Sequence, residues 1–208
     1  MPAPFGKPSL SNYERTFERV WIDHKTGWDG AYLHPSENMH NYGREISLDT
    51  GIASLVLMLD YPQEQKETLL IRYLQTGIDL YGILDNGGGW SADGGHASGR
   101  KWPIIMAGLL LERTDMAEIG MNYGPSSFGE DCQTYYDNQN YPRWGIRHCQ
   151  DPTKESYNDE SNPYRTCCTS NTWPPSALSA MLMGARELWN HEAFFDYVDR
   201  WVAAGGSH

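Results

Sequence analysis

The sequence lacks any apolar run approaching the roughly 18 residues that a membrane-crossing helix requires. Its longest is Ile104-Ile105-Met106-Ala107-Gly108-Leu109-Leu110-Leu111, so neither a transmembrane helix nor a membrane partner is expected. Cationic excess is missing too: 16 Lys and Arg stand against 27 Asp and Glu, a formal charge of -11. With no positive surplus to release counterions, nucleic acid is a poor partner, whereas an acidic polysaccharide in a locally basic cleft remains compatible. Period-2 alternation is almost absent, which argues against a sheet protein. The start, Met1-Pro2-Ala3-Pro4-Phe5-Gly6-Lys7-Pro8, has neither the basic nor the apolar region of a signal peptide and reads as a linker. Residues 205–208, Gly-Gly-Ser-His, read as a spacer with a tag remnant, leaving one domain over 1–204.

Aromatic residues are abundant, with 8 Trp and 13 Tyr. Each pairs a flat apolar face with a polar edge, which suits sugar rings and protein interfaces alike. Four cysteines, Cys132, Cys149, Cys167 and Cys168, fall in one polar region of loop character, without C-x-x-C or H-x-x-x-H spacing. That pattern favours disulfides over zinc, and hence a secreted or periplasmic protein.

In chain order, Tyr13, Phe17, Val20 and Trp21 predict a short helix over 11–22, and 23–41 is a turn-rich loop. Leu48, Ile52, Leu55, Val56 and Leu59 trace the stripe of an amphipathic helix over 42–59. Pro62 opens the next helix, marked by Leu70, Leu74, Gly77, Ile78 and Tyr81 as far as about 83, so the two make a hairpin. Pro103 starts a third apolar helix through Leu111. A long Cys-containing insertion follows over 120–173. A helix beginning at Pro174-Pro175 runs to Trp189, and Phe194, Phe195, Val198, Trp201 and Val202 mark a final one. The expected class is all-α: helical hairpins in an incomplete (α/α) toroid-like arrangement with long loops, the ring being completed by missing sequence or another chain.

Between the second and third apolar patterns lies the loop 84–103, Leu-Asp-Asn-Gly-Gly-Gly-Trp-Ser-Ala-Asp-Gly-Gly-His-Ala-Ser-Gly-Arg-Lys-Trp-Pro. It carries Trp90, Asp93, His96, Arg100 and Trp102 among six glycines, a composition that serves a site better than a core.

Two segments resemble the α/α-toroid polysaccharide lyases. His40-Asn41-Tyr42-Gly43-Arg44-Glu45-Ile46 is similar to that family's Asn-aromatic-aromatic-x-x-Glu-Ile pattern at the start of a cleft-lining helix. Asp93-Gly94-Gly95-His96 is similar to its Asp-Gly-Ser-Phe-x-x-His loop, whose histidine takes part in catalysis. The resemblance implies β-elimination on an acidic polysaccharide. That chemistry needs a base for the proton α to a uronate carboxyl, an acid for the leaving oxygen, and donors that neutralise the carboxylate. His96 is the candidate base, Tyr42 the acid, Arg100 the bidentate carboxylate contact and Asn41 an amide donor. Arg44, Trp90, Trp102, Asp93 and His40 are candidate substrate contacts.

Plainer roles compete. Asn41 suits a helix cap, Arg44 and Glu45 suit helix-terminal charges, and Trp90 suits a lid over helix ends. Asp85, Asp93, Glu130 and Asp131 offer the paired carboxylates of a glycoside hydrolase. The tyrosines of the long insertion offer a carbohydrate-binding or assembly surface with no chemistry. No cofactor is called for; a structural Ca²⁺ among the acids of 130–159 is conceivable, without EF-hand spacing.

Overall fold

The structure, a computed structural model, describes residues 1–3, 5–21, 43–90, 95–146 and 161–206. These are mostly helical. The main helices are α1 (Leu10–Thr16), α2 (Gly43–Met58), α3 (Gln63–Asp85) and α4 (Lys101–Leu110). The short α5 (Thr114–Ala117), α6 (Ile119–Asn122) and α7 (Gly129–Cys132) precede a two-stranded antiparallel hairpin, β1 (Thr134–Tyr136) with β2 (Pro142–Trp144). A π-helical turn Arg165–Thr169 leads to α8 (Pro174–Leu182), α9 (Arg186–Trp189) and α10 (Glu192–Ala203). None of the described helices is long and apolar enough to cross a membrane.

Helix α4 is the centre. Every residue from Lys101 to Gly108 is buried, as a helix apolar on all sides should be. It packs chiefly on α3 and α5, with further contacts to α2, α6, α8 and α9, while α2 packs chiefly on α8. The α3–α4 crossing is tight because residue 77 is glycine: a Cβ there would stand 2.3 Å from the Pro103 carbonyl oxygen. Trp102 is fully enclosed, stacked on Trp189 with ring centroids 6.4 Å apart, and its indole N–H donates to Ser179 Oγ at 3.0 Å.

Two expected stripes are rotated. On α2 Val56 is buried as expected, but the rest of the buried face is Ile46, Thr50, Ala53 and Leu57 together with the small residues Ser47, Gly51 and Ser54, while Leu48, Ile52 and Leu55 are half-buried. Small side chains let α8 approach, so close packing claims that face and the larger aliphatics flank it. On α3 the buried line is Leu69, Tyr73, Thr76, Leu80 and Ile83, and Ile78 is exposed. Tyr73 wins its place by donating its hydroxyl to the Thr50 carbonyl at 2.9 Å.

The helix expected to run unbroken from Pro174 to Trp189 is divided. Gly184, at φ +67, reverses the chain after Leu182 before α9 begins. Asn190, also left-handed, ends α9. Val202 of α10 is exposed, whereas Phe194, Phe195, Tyr197, Val198 and Trp201 face the core. Within the long insertion, the described residues form α6, α7, the hairpin and the π-helical turn. Cys167 and Cys168, adjacent in sequence, are joined in a disulfide, and Cys132 is also disulfide-bonded.

Candidate functional site

The loop 95–100 is wedged between α2 and α7. Its Gly99 has φ +76, and a Cβ there would lie 2.5 Å from Ser47 Cα, so both backbone conformation and space demand glycine. On the other side, the Gly129 N–H donates to the Ala97 carbonyl at 2.9 Å. The Ser98 N–H donates to the Gly95 carbonyl at 3.0 Å, closing the turn. The Cys168 carbonyl also borders this turn, 3.5 Å from where a Gly95 Cβ would stand.

This packing buries His96 and Arg100 completely. Arg100 Nε donates to the His96 carbonyl at 3.1 Å, so the loop orients its own guanidinium. The guanidinium carbon then sits 5.4 Å from the Trp21 ring centroid and 5.1 Å from that of Trp90. Two aromatic faces partly offset the cost of enclosing a cation. Both terminal nitrogens, Nη1 and Nη2, have no hydrogen-bond partner. Burial pushes Arg100 down to about 9, and the charge of Glu130 opposes that shift. It remains cationic at neutral pH.

His96 is pushed down to about 4, first by burial and then by the Arg100 charge, so its imidazole is neutral at pH 7. Glu130, at the start of α7, is 2% exposed. Burial, followed by the neighbouring Asp131 charge, pushes its carboxyl up to about 8, against opposing contributions from its own and Gly99 backbone N–H groups and from Lys101. Its Oε2 has no hydrogen-bond partner, and Arg100 donates no hydrogen bond to it.

The next residue on each element behaves differently. Lys101 and Asp131 form a buried ion pair, and Trp189 Nε1 donates to the other Asp131 oxygen at 2.7 Å. One cation–carboxylate pair is therefore closed by direct contact, and its sequence neighbours Arg100 and Glu130 are left open.

The structure brings His96, Arg100 and Trp90 together. Trp90 is buried against Arg100 instead of standing free. Trp102, expected at the site, belongs to the core beneath it. Arg44, half-exposed at the start of α2, donates from Nε to Glu45 at 2.7 Å. His40, Asn41, Tyr42 and Asp93 lie outside the described residues. Trp21 is the contact that sequence reasoning missed, having been given only a helix-core role. A tryptophan with no sequence proximity to Arg100 offers no local signal of the pairing. Asp131 is engaged with Lys101 and Trp189, and Asp85 is exposed at the end of α3. Among the described residues, no group of three or more His, Cys, Asp or Glu could hold a metal ion.

Fold and site together define a helical domain with a buried, loop-borne cation flanked by indoles and a carboxyl group. No known protein family, curated protein or solved structure matches the chain.

Proposed function

We propose that the protein is an exported enzyme that cleaves an acidic polysaccharide by β-elimination, with the loop 95–100 as its anion-binding and base-bearing element. The observation that carries this reading is the Arg100 guanidinium, buried between two indoles with both terminal nitrogens unpartnered. A planar two-nitrogen edge suits a carboxylate, and two aromatic neighbours suit a sugar.

Arg100 neutralises the uronate carboxylate, which stabilises the enolate-like charge formed when the α proton leaves. His96, neutral at pH 7, accepts that proton. The released electron pair forms the double bond, the bond to the leaving oxygen breaks, and that oxygen takes a proton from an acid, the role for which Tyr42 is the candidate. The contacts of α2 with α8 and α3, and of α3 with α4, support the reading of these helices as part of a toroid-like arrangement.

Incubation with a panel of polyuronates, followed by the absorbance of the 4,5-unsaturated uronate, tests the reading. Absorbance should rise with at least one substrate and fall about 10²–10⁴-fold in rate for His96→Ala. A flat trace with every polyuronate would overturn elimination.

Glu130 favours hydrolysis as a second reading, because a buried carboxyl protonated near neutrality suits a general acid. New reducing ends without absorbance, lost in Glu130→Ala, are the result that selects it.

A further inference from the structure

We infer that the groove at the far end of α4 from the loop 95–100 is a docking site for a basic amphipathic helix of a partner protein. The inference goes beyond the elimination reading and does not depend on it.

The groove has a volume of about 780 Å³. One wall is a single face of α3, on which Gln63, Glu64, Glu67, Leu70 and Ile71 stand at i, i+1, i+4, i+7 and i+8. Met106 and Leu110, one turn apart on α4, continue that wall, because α3 and α4 pack on each other. Leu57 and Met58 at the end of α2, with Met183 just after α8, supply the rest. A trough bounded by helix faces accepts a further helix, whose apolar stripe repeats at i, i+3, i+4 and i+7. The length agrees, since Gln63 to Ile71 spans roughly 12 Å, a little over two helical turns. Met58, Met106 and Met183 have unbranched, polarizable side chains that reshape around a guest. Ile71 and Leu110 are 60% and 46% exposed, leaving apolar surface open at the groove.

Charge selects the guest. Glu64 and Glu67 have no ion-pair partner among the described residues. The carboxyl ends of α2, α4 and α8, at Met58, Leu110 and Leu182, also reach the groove or its edge, against the single amino end of α3. Helix carboxyl ends carry negative partial charge. Lys66, the cation among the described lining residues, is committed to α2, because its Nζ donates to the Leu57 and Leu59 carbonyls at 2.8 and 3.1 Å. The rim offered to a partner is therefore acidic, on a chain of formal charge -11. Lys or Arg residues beside the apolar stripe meet Glu64 and Glu67, whereas an acidic helix is repelled. A second copy of this chain fits poorly, because a two-fold interface sets the same glutamates against each other.

The experiment titrates a fluorescent peptide of about 14 residues with the whole chain and follows anisotropy. The peptide carries leucine at i, i+3, i+4 and i+7 and lysine elsewhere, and a control has glutamate in place of lysine. The lysine peptide should bind saturably and one to one, more weakly as salt is raised, and the glutamate peptide should not bind. The double variant Glu64→Lys/Glu67→Lys should weaken binding about tenfold or more, as should Ile71→Asp. These side chains are exposed, so the variants should keep their fold, which circular dichroism reports. Glu18→Lys/Asp199→Lys makes the same charge change at exposed positions outside the groove and should stay within about threefold of wild type. Methyl resonances of Met58, Met106 and Met183 should shift on binding, and that of Met121, exposed on α6, should not. Equal loss in the two charge-reversal variants, or equal binding of both peptides, would overturn the inference. Self-association of the wild type in sedimentation, with neither peptide bound, would overturn it in favour of a second copy.

Discussion

The ammonium group of Lys101 and the carboxylate of Asp131 are paired with side chains only 1% and 2% exposed, one residue beyond Arg100 on α4 and one beyond Glu130 on α7. Lys101 also lies over the Phe128 and Trp189 rings, at 5.3 and 5.2 Å from their centroids. This pair ties α7 to the central helix and so sets the position of the neighbouring, unpaired Arg100 and Glu130.

Removing either partner leaves a buried charge without its counter-ion. Lys101→Met or Asp131→Asn should cost about 3–5 kcal/mol. Urea denaturation of each variant measures this, and a loss below about 1 kcal/mol would mean that the pair is well solvated.

Gly99→Ala combines a left-handed backbone with a clash against the α2 backbone. Strain at such a position costs about 1–3 kcal/mol. The variant should unfold at lower denaturant concentration, and its tryptophan fluorescence should change as Arg100 shifts between Trp21 and Trp90.

The two tryptophans proposed for the site from sequence should separate by experiment. Trp102→Ala empties a volume in the core and removes the donor to Ser179, for a loss of about 3–5 kcal/mol. Trp90→Ala removes one aromatic face from Arg100, worth about 0.5–2 kcal/mol beyond its packing. Affinity for uronate oligosaccharides should fall in Trp90→Ala and, where the protein remains folded, stay within about threefold in Trp102→Ala.

Stability should depend on pH through Glu130 and His96. Glu130 is raised in the folded protein, so the unfolded chain loses its proton first, and stability falls as pH climbs from the ordinary carboxylate range to about 8. His96 is lowered, so stability rises with pH from about 4 to the ordinary histidine range. The two trends oppose each other in mildly acid solution. Above about pH 6.5 the glutamate acts alone, and roughly 2 kcal/mol should be lost by pH 8. Thermal melting across this interval checks the sign, and Glu130→Gln should flatten the curve.

Much of the helical class was legible in residues 63–111 because Pro62, Pro103 and the apolar runs between them act locally. The choice of buried face was not. Ser47 and Gly51 carry little hydrophobic signal, yet Gly51 lies against Pro175 and Ser176 of α8 and Ser47 against Gly99 and Thr172, because close approach of backbones depends on what a side chain lacks. The loop 84–103 was recognisable as site-like from its glycines, His96 and Arg100. Nothing local distinguished Trp90, which meets the guanidinium, from Trp102, which fills the core.

The sequence by itself determined the mostly helical class, the absence of a membrane-length apolar run, and the concentration of polar residues on one glycine-rich loop. Only the tertiary structure decided that Lys101 closes on Asp131 while Arg100 stays open beside Glu130 and gains Trp21 from the amino-terminal segment. These choices depend on long-range contacts that bury some charges with a partner and others without, and adjacent residues of like charge look the same until the chain folds.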